Sequence, residues 1–139
     1  MSPLPKWIPV LLFVAALVGF ADASYLTAQH IQGVLPPCAI DGCDQVLTSK
    51  YSVIGGFPVS ALGMLYYGTV LVLLIAYFDT ANRRLLHLVS WLACGGMLGT
   101  LYFIAIQLFV LHAICLYCML SAATSATMFG IAVYVMRTD

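Results

Sequence analysis

The amino-acid sequence predicts an all-α integral membrane protein, a four-transmembrane-helix bundle with a long external loop capping its outer end. The first observation is composition, since 63% of the 139 residues are apolar and only 7% are charged. Soluble domains are about 45–50% apolar and about 25% charged, so this chain has too little charge to cover a surface in water. The second is the presence of four apolar runs, each long enough to cross about 30 Å of hydrocarbon. The net charge of zero argues against a nucleic-acid partner, because phosphate binding needs clustered Lys and Arg.

The first two runs flank the longest connection of the chain. The first run, about 8–29, exceeds the apolar core of a secretory signal peptide and lacks an A-x-A-like cleavage site, so we expect it to remain as a helix. The connection, about 30–57, is longer than ordinary loops, and we expect it to fold over the bundle as a cap. Its last residues, "IGGFP", are expected to turn the chain back so that Pro58 opens the second helix, about 58–78.

The last two runs complete a single membrane domain, 1–139. They cover about 85–111 and 115–136, and the short "DTANRR" segment before them is expected to be a plain turn. Small side chains let transmembrane helices approach closely, so small residues in the third run are assigned to packing. These residues are Cys94, Gly95, Gly96 and Gly99.

The positions of Lys and Arg predict the orientation. With the N-terminus in the cytoplasm, the connections that carry Lys6, Arg83, Arg84 and Arg137 are cytoplasmic, and Lys50 alone is external. Cytoplasmic loops carry an excess of Lys and Arg. Both termini are therefore expected inside, and the long loop and the "CLYC" turn outside, where disulfides persist.

The chain contains five cysteines, which fall into two groups. Cys94 lies in the middle of the third run among glycines, where a free Cys usually behaves as a small apolar group. The others are external: Cys38 and Cys43 in the loop, and Cys115 and Cys118 at the start of the fourth helix. The four external cysteines are therefore the candidate functional residues.

The C-x-x-C sequence at a helix N-terminus is typical of redox chemistry. Unpaired N–H groups and the positive end of the helix dipole stabilise a thiolate there. The spacing of Cys115 and Cys118 also puts both sulfurs on one face of the helix. Two static disulfides or a four-cysteine zinc site would use the same residues. The residues favour redox exchange over both alternatives without excluding them.

Two exchanging pairs would form an electron relay. Thiol–disulfide exchange moves electrons in pairs through a mixed disulfide, so a loop pair could meet a partner while a helix pair meets an electron acceptor. The sequence has no nucleotide-binding motif and no haem-type His pairing. An acceptor reached from within an apolar bundle should be lipid-soluble, and a quinone fits this description.

Four segments carry a resemblance to a known family. They are "ASYLTAQH", "CDQVLTSKYS", "GFPVSALGMLYYG" and "GTLYFIAIQLFVLHAICLYC". Together with the four placed cysteines and a loop serine, they resemble the vitamin K epoxide reductase family in its bacterial single-domain form. The resemblance implies four core helices around a quinone, with the loop as a lid.

The resemblance also implies a role for each external cysteine. Cys118 matches the cysteine that faces the quinone, and Cys115 matches its partner, which exchanges with Cys43. Cys38 matches the loop cysteine that a thioredoxin-like protein attacks, and Ser49 matches the loop serine of the family. The implied product is disulfide bonds in exported proteins, made at the bacterial inner (cytoplasmic) membrane.

Two departures from the family pattern bear on the substrate. Val59 and Ala122 stand where vertebrate members have the Asn and Tyr that hydrogen-bond vitamin K. Ordinary ubiquinone or menaquinone is therefore the expected electron acceptor, with no metal. The chain ends at Asp139 without a fused thioredoxin domain, so we expect a separate thioredoxin-like periplasmic or extracytoplasmic partner.

Further residues are candidates for contact with the quinone. Aromatic residues could line it and Gln107 could donate to it, although aromatic residues near membrane ends also serve as interface anchors. The candidate quinone-binding residues are Tyr25, Val46, Leu62, Tyr66, Tyr67, Phe103, Gln107 and Leu111. Asp22 is a candidate because carboxylates are rare inside membrane segments, but a lid hydrogen bond or simple hydration would also explain it.

Two other functions stay open from the sequence. One is the unrelated quinone-linked family of bacterial disulfide oxidases, which places its C-x-x-C in the first external loop rather than at the last helix. The other is a non-enzymatic membrane assembly or metal-handling protein that uses the four external cysteines as ligands. Metal content of the purified protein would separate this last function from redox exchange.

Overall fold

The computed structural model describes residues 5–32, 53–54, 57–110 and 116–137. Almost all of these residues are helical. The predicted cap over the bundle falls in the long loop, nearly all of which lies outside the described residues.

Four long helices make up the fold. They are α1 (Trp7–Gln32), α2 (Val59–Thr80), α3 (Arg83–Ala105) and α4 (Leu116–Arg137), and a π-helix, Ile106–Val110, continues α3. Each helix, with α3 extended by the π-helix, is long and apolar enough to cross a membrane. A backbone in lipid must satisfy its own hydrogen bonds, which a helix does within each segment. The predicted four-helix membrane fold is confirmed.

A short β-hairpin precedes α2. Strands β1 (Val53–Ile54) and β2 (Phe57–Pro58) pair antiparallel, with Val53 opposite Pro58. Helix α2 begins at the residue after Pro58. The chain therefore reverses where "IGGFP" predicts a turn, although the two short strands were not expected.

Helices α1 and α2 are antiparallel and packed closely through glycines. The ring of Tyr67 lies directly on Gly19, so that even a methyl group added to Gly19 would overlap it. A methyl group added to Gly63 would sit 3.6 Å from Cβ of Ala23. Gly19 contacts Tyr67, and Ala23, one turn later in α1, contacts Gly63, one turn earlier in α2. The two helices therefore run in opposite directions.

A two-residue turn joins α2 to α3. The backbone of Ala81 is left-handed, with φ of 54°, and its N–H donates to the carbonyl of Tyr77 at 2.7 Å. Asn82 then caps α3, because its side-chain oxygen accepts a hydrogen bond from the N–H of Arg84 at 3.0 Å. The left-handed residue ends one helix and the cap begins the next, so α2 and α3 form a tight antiparallel pair.

The four helices form a closed ring. Helix α1 packs against α2 and α4, and α3 packs against the same two helices. Helices α2 and α4 therefore begin at one end of the bundle, which we call the Cys118 end, and finish at the other, which we call the Arg137 end. Lys6, Arg83, Arg84 and Arg137 all lie at the Arg137 end.

The helices are apolar on their outer surfaces as well as inside. Large side chains such as Trp7, Leu65, Trp91 and Leu98 are more than half exposed. A helix that is hydrophobic all round is typical of a membrane span. These outward side chains are therefore the surface that contacts lipid.

Candidate functional site

Most of the residues predicted to carry the chemistry lie outside the described part of the chain. This applies to three of the four external cysteines, to the loop serine and to two candidate quinone contacts. They are Cys38, Cys43, Cys115, Ser49, Val46 and Leu111. Their roles remain predictions, and the site is described here from the residues around it.

Cys118 lies in the first turn of α4 and is half-buried. The first backbone N–H groups of a helix have no partner within the helix, and the helix dipole is positive there. This position suits a sulfur that carries negative charge during exchange.

An aromatic pair joins α1 and α4 next to Cys118. The rings of Tyr25 and Tyr117 have their centroids 5.7 Å apart and are tilted by 38°. Because Tyr117 precedes Cys118 in the chain, the pair lies at the level of the thiol. Tyr25 therefore lies at the level of Cys118, and its contact with a quinone remains a prediction.

Gln107 lies inside the bundle on the π-helix. Its side chain is only 2% exposed, and its Nε2 donates to the carbonyl of Phe103 at 3.4 Å, a long hydrogen bond. Helical segments with π geometry are rare and occur frequently at functional sites. Gln107 was predicted as a hydrogen-bond donor to the quinone, whereas the π-helix was not predicted.

Tyr67 links three helices from the centre of the bundle. It is 2% exposed, and its hydroxyl lies 3.0 Å from Oγ of Ser121 and 2.9 Å from Oγ1 of Thr124 on α4. The same hydroxyl also donates to the carbonyl of Ser121 at 3.1 Å. Since its ring covers Gly19 of α1, Tyr67 connects α2 to α1 beside it and to α4 across the bundle.

Tyr66 reaches in another direction, toward α3. Its hydroxyl lies against Gly96, where any side chain would overlap it. The hydroxyl is buried, with Ser125 and Cys94 nearby. The rings of Tyr66 and Tyr67 meet edge to face with centroids 5.0 Å apart, so the structure brings these two predicted residues together.

The remaining two candidates are less enclosed. Leu62 is 45% exposed, and Phe103 is half-buried. Both belong to the half of the bundle nearer the Cys118 end, since Leu62 is near the start of α2 and Phe103 near the end of α3. Their contact with a quinone remains a prediction.

Asp22 is a buried carboxyl group in α1. It is 7% exposed, and its Oδ2 is buried with no hydrogen-bond partner among the described residues. Such low exposure argues against simple hydration, one of the two plain explanations that the sequence allowed. The other, a hydrogen bond from the loop, involves residues outside the described ranges.

Buried polar side chains concentrate toward the Cys118 end. In the part of the chain that the structure describes, the buried polar residues are Asp22, Thr27, Ser90, Gln107, Thr124 and Ser125, and all of these except Ser90 belong to the half of their helix nearer that end. The core toward the Arg137 end is built from residues such as Leu12, Leu74 and Val89. Polar groups inside a membrane bundle are costly and usually functional, which places the candidate site at the Cys118 end.

The side chains at this end are both aromatic and polar. Aromatic side chains from all four helices, the amide of Gln107 and several hydroxyls belong to this half of the bundle, and small-molecule sites commonly combine apolar walls with a few polar groups. Among the described residues, no group of three or more His, Cys, Asp or Glu could hold a metal ion. The three external cysteines outside those residues are not covered by that statement.

Comparison with models of protein families matches most of the chain. Residues 10–133 match the model of the vitamin K epoxide reductase family. The matched region begins in α1 and ends in α4. No curated protein matches the chain.

Proposed function

Because this chain belongs to the vitamin K epoxide reductase family, we propose that it is a quinone-dependent thiol–disulfide oxidoreductase that supports disulfide formation in exported proteins. Membership and the four apolar helices make it a membrane oxidoreductase. The observation that carries the finer proposal is the position of Cys118. It lies in the first turn of α4 at the end of the bundle where the buried polar side chains collect.

The proposed relay moves one electron pair through two cysteine pairs. A thiolate of the partner attacks Cys38 in a Cys38–Cys43 disulfide, and the mixed disulfide is resolved by the second thiol of the partner. Cys43, now reduced, attacks Cys115 in a Cys115–Cys118 disulfide. Cys38 resolves that bridge, which leaves Cys115 and Cys118 as a dithiol. Each step breaks one S–S bond and forms another, so electrons and protons balance.

Cys118 then delivers the electron pair to a membrane quinone. The quinone, of ubiquinone or menaquinone type, supplies an acceptor of two electrons and two protons. Tyr25 and Phe103 would bound the ring, and the amide of Gln107 would donate to a quinone oxygen. Val59 and Ala122 cannot make the side-chain hydrogen bonds that Asn and Tyr would make, so vitamin K epoxide is not the proposed substrate.

The proposed partner is a separate thioredoxin-like protein on the external side. With both termini in the cytoplasm of a bacterial cell and the loop outside, Cys38 would face the compartment in which exported proteins fold. Four of the five Lys and Arg residues lie at the Arg137 end, and such an excess favours the cytoplasmic side.

The test is quinone reduction by purified protein with a reduced thioredoxin-like donor. In Cys118→Ser, Cys115 has lost its own disulfide partner and can pair with Cys43, and no Cys118 thiol is present to attack Cys115 and release Cys43 from that bridge. That bridge should therefore accumulate while quinone reduction disappears. Mass mapping of the disulfides measures the first effect, and the absorbance change of the quinone measures the second. Cys94→Ala is the matched control and should keep both properties of the unmodified chain.

A second variant checks the order of the loop cysteines. Cys38→Ser should abolish turnover with the protein donor but keep turnover with a small dithiol, which can attack an inner disulfide directly. A Cys38–Cys115 bridge as the main species in Cys118→Ser would show that the two loop cysteines have exchanged roles. Stoichiometric bound metal together with no quinone reduction would instead favour the metal-handling function.

A further inference from the structure

We infer that the carboxyl group of Asp22 carries a proton from the aqueous phase at the Cys118 end to a quinone oxygen inside the bundle. This inference rests on the proposed function, because it assigns a proton donor to the same reaction. Reduction of a quinone to a quinol takes up protons as well as electrons. The donor must therefore be a group within the bundle that can gain and lose a proton.

The burial of Asp22 is the first argument. The side chain is 7% exposed, and Oδ2 has no hydrogen-bond partner among the described residues. An ionisable residue inside a membrane segment is costly, and such residues commonly form proton relays. A buried oxygen that has no hydrogen-bond partner in the protein can form a hydrogen bond with a ligand.

The level of Asp22 in the bundle is the second argument. Starting from the stacked rings of Tyr25 and Tyr117, one turn toward the Arg137 end reaches Asp22 on α1 and Ser121 on α4. The hydroxyl of Tyr67 contacts both the carbonyl oxygen and the hydroxyl of Ser121. The register of the helices thus places the carboxyl at the same depth as the buried hydroxyls of α4.

The direction of the side chain agrees with this placement. Asp22 follows Gly19 by three residues, and residues three apart share a helix face. Side chains lean toward the N-terminus of their helix, which for α1 is the Arg137 end. Because the ring of Tyr67 covers Gly19 and Asp22 is 7% exposed, this face of α1 is turned toward the interior of the bundle.

A series of hydroxyls lies between Asp22 and the Cys118 end of α1. The Oγ of Ser24 is buried with no partner among the described residues. One turn further, Oγ1 of Thr27 lies 3.0 Å from Oγ of Ser60 on α2. Hydroxyls both donate and accept hydrogen bonds, so groups able to pass a proton continue along α1 from the level of Asp22 toward the Cys118 end.

An ion pair within the helices does not explain Asp22. The sequence has five Lys and Arg residues. Lys6, Arg83, Arg84 and Arg137 are at the opposite end of the bundle, and Lys50 is in the loop. No cation therefore lies within the membrane-spanning part of any helix at the depth of Asp22.

Among the described residues, the titratable side chains within about one turn of the level of Asp22 are weak acids. On its own helix the neighbour is Tyr25, on α2 they are Tyr66 and Tyr67, and on α4 they are Tyr117 and Cys118. The hydroxyl of Tyr67 already bonds to α4. Asp22 is the one carboxyl group among the described residues of this half of the bundle.

The step balances as follows. Two S–H bonds of Cys115 and Cys118 break and one S–S bond forms, which releases two electrons and two protons. Both electrons pass to the quinone, and Asp22 gives one proton to a quinone oxygen. The thiols of Cys115 and Cys118 release their two protons to water. Asp22 then takes up one proton from water. The second quinol proton comes from the same aqueous pool, and Asp22 returns to its starting state.

The experiment uses the full chain, purified and loaded with a short-chain ubiquinone. Asp22→Asn keeps the size of the side chain but cannot exchange a proton. It should lower kcat with a small dithiol by about 100-fold, the usual contribution of a proton donor, and leave the KM for the dithiol unchanged. Asp22→Glu should recover part of the rate. Asp79→Asn, an exposed carboxyl at the Arg137 end, is the control and should have normal kinetics.

A spectroscopic readout separates proton transfer from a structural role. Infrared difference spectra between the reduced and oxidised protein should contain a carboxyl C=O band that shifts in D₂O. The band should vanish in Asp22→Asn and persist in Asp79→Asn. Normal kcat in Asp22→Asn, or the absence of such a band in the unmodified protein, would overturn the inference. Failure of the unmodified protein to reduce quinone would contradict the proposed function itself.

Discussion

Gly19 determines how closely α1 approaches Tyr67. A methyl group at this position would overlap the ring, and the ring cannot move away without breaking the contacts of its hydroxyl with Ser121 and Thr124. Gly19→Ala should therefore lower the free energy of unfolding by about 1–3 kcal/mol, the usual cost of overpacking. Thermal unfolding in detergent measures the change.

Gly130→Ala is the matched control for this prediction. Nothing lies within 4 Å of a methyl group added to Gly130, and Ala is favoured over Gly in a helix by up to about 1 kcal/mol. The control should unfold at the same temperature as the unmodified chain or above it. Equal destabilisation by both substitutions would mean that the contact with Tyr67 is not the cause.

Single residues were only partly predictable from the sequence. The small residues of the third run were assigned to packing, and Gly96 does lie against Tyr66, but methyl groups at Gly95 and Gly99 would meet nothing within 4 Å. Composition identifies a segment that can pack closely, but it does not say which face of the helix is inside. That choice depends on side chains from α2, far away in the sequence.

At the scale of single elements, the turn between α2 and α3 contains a residue in an unfavourable conformation. Ala81 has a φ of 54°, and the left-handed region costs residues with a Cβ about 1–2 kcal/mol. Ala81→Gly removes this cost, but glycine also loses more chain entropy on folding, which offsets part of the gain. The substitution should therefore raise the free energy of unfolding by up to about 1 kcal/mol. The apparent melting temperature in detergent measures this effect.

The opposite result is expected inside the same helix. Ala76 lies within α2, where Gly in place of Ala is destabilising by about 0.5–1 kcal/mol. Ala76→Gly should therefore lower the melting temperature. A decrease in both variants would show that the turn does not benefit from glycine.

The elements themselves followed from the sequence to within a few residues. The runs predicted at about 8–29 and 115–136 are Trp7–Gln32 and Leu116–Arg137 in the structure. The run predicted at 85–111 divides into α3 and the π-helix Ile106–Val110. Hydropathy records length and apolar character, but a π-helix differs from an α-helix only in its hydrogen-bond spacing. The sequence therefore could not reveal it.

At the scale of the whole molecule, the charge distribution predicts how the protein sits in the membrane. In a variant that keeps Cys38 as its single cysteine, an impermeant thiol reagent should label intact cells. In a cysteine-free variant, Thr80→Cys places a thiol at the exposed Arg137 end of α2, and labelling should require lysis. Cytoplasmic loops carry the excess of Lys and Arg, which is the physical reason. The reverse pattern of labelling would invert the proposed topology.

The ring of helices could not be derived from hydropathy. All four helices carry apolar side chains on every face. Hydropathy therefore does not show which face of each helix is turned toward lipid. Helix neighbours are instead decided by shape, as where Tyr67 meets Gly19, and by hydrogen bonds inside the bundle. The position of the four cations at one end was predictable, because it depends only on where each helix begins and ends.

The two adjacent tyrosines of α2 restrict which substitutions the facing glycines can accept during evolution. Tyr66 occupies the space beside Gly96, and Tyr67 occupies the space beside Gly19. A larger residue at either glycine is compatible with the bundle only if the facing tyrosine becomes smaller. Positions 19 and 67, and positions 96 and 66, should therefore covary as two independent pairs among related chains, each pair joining a different helix to α2.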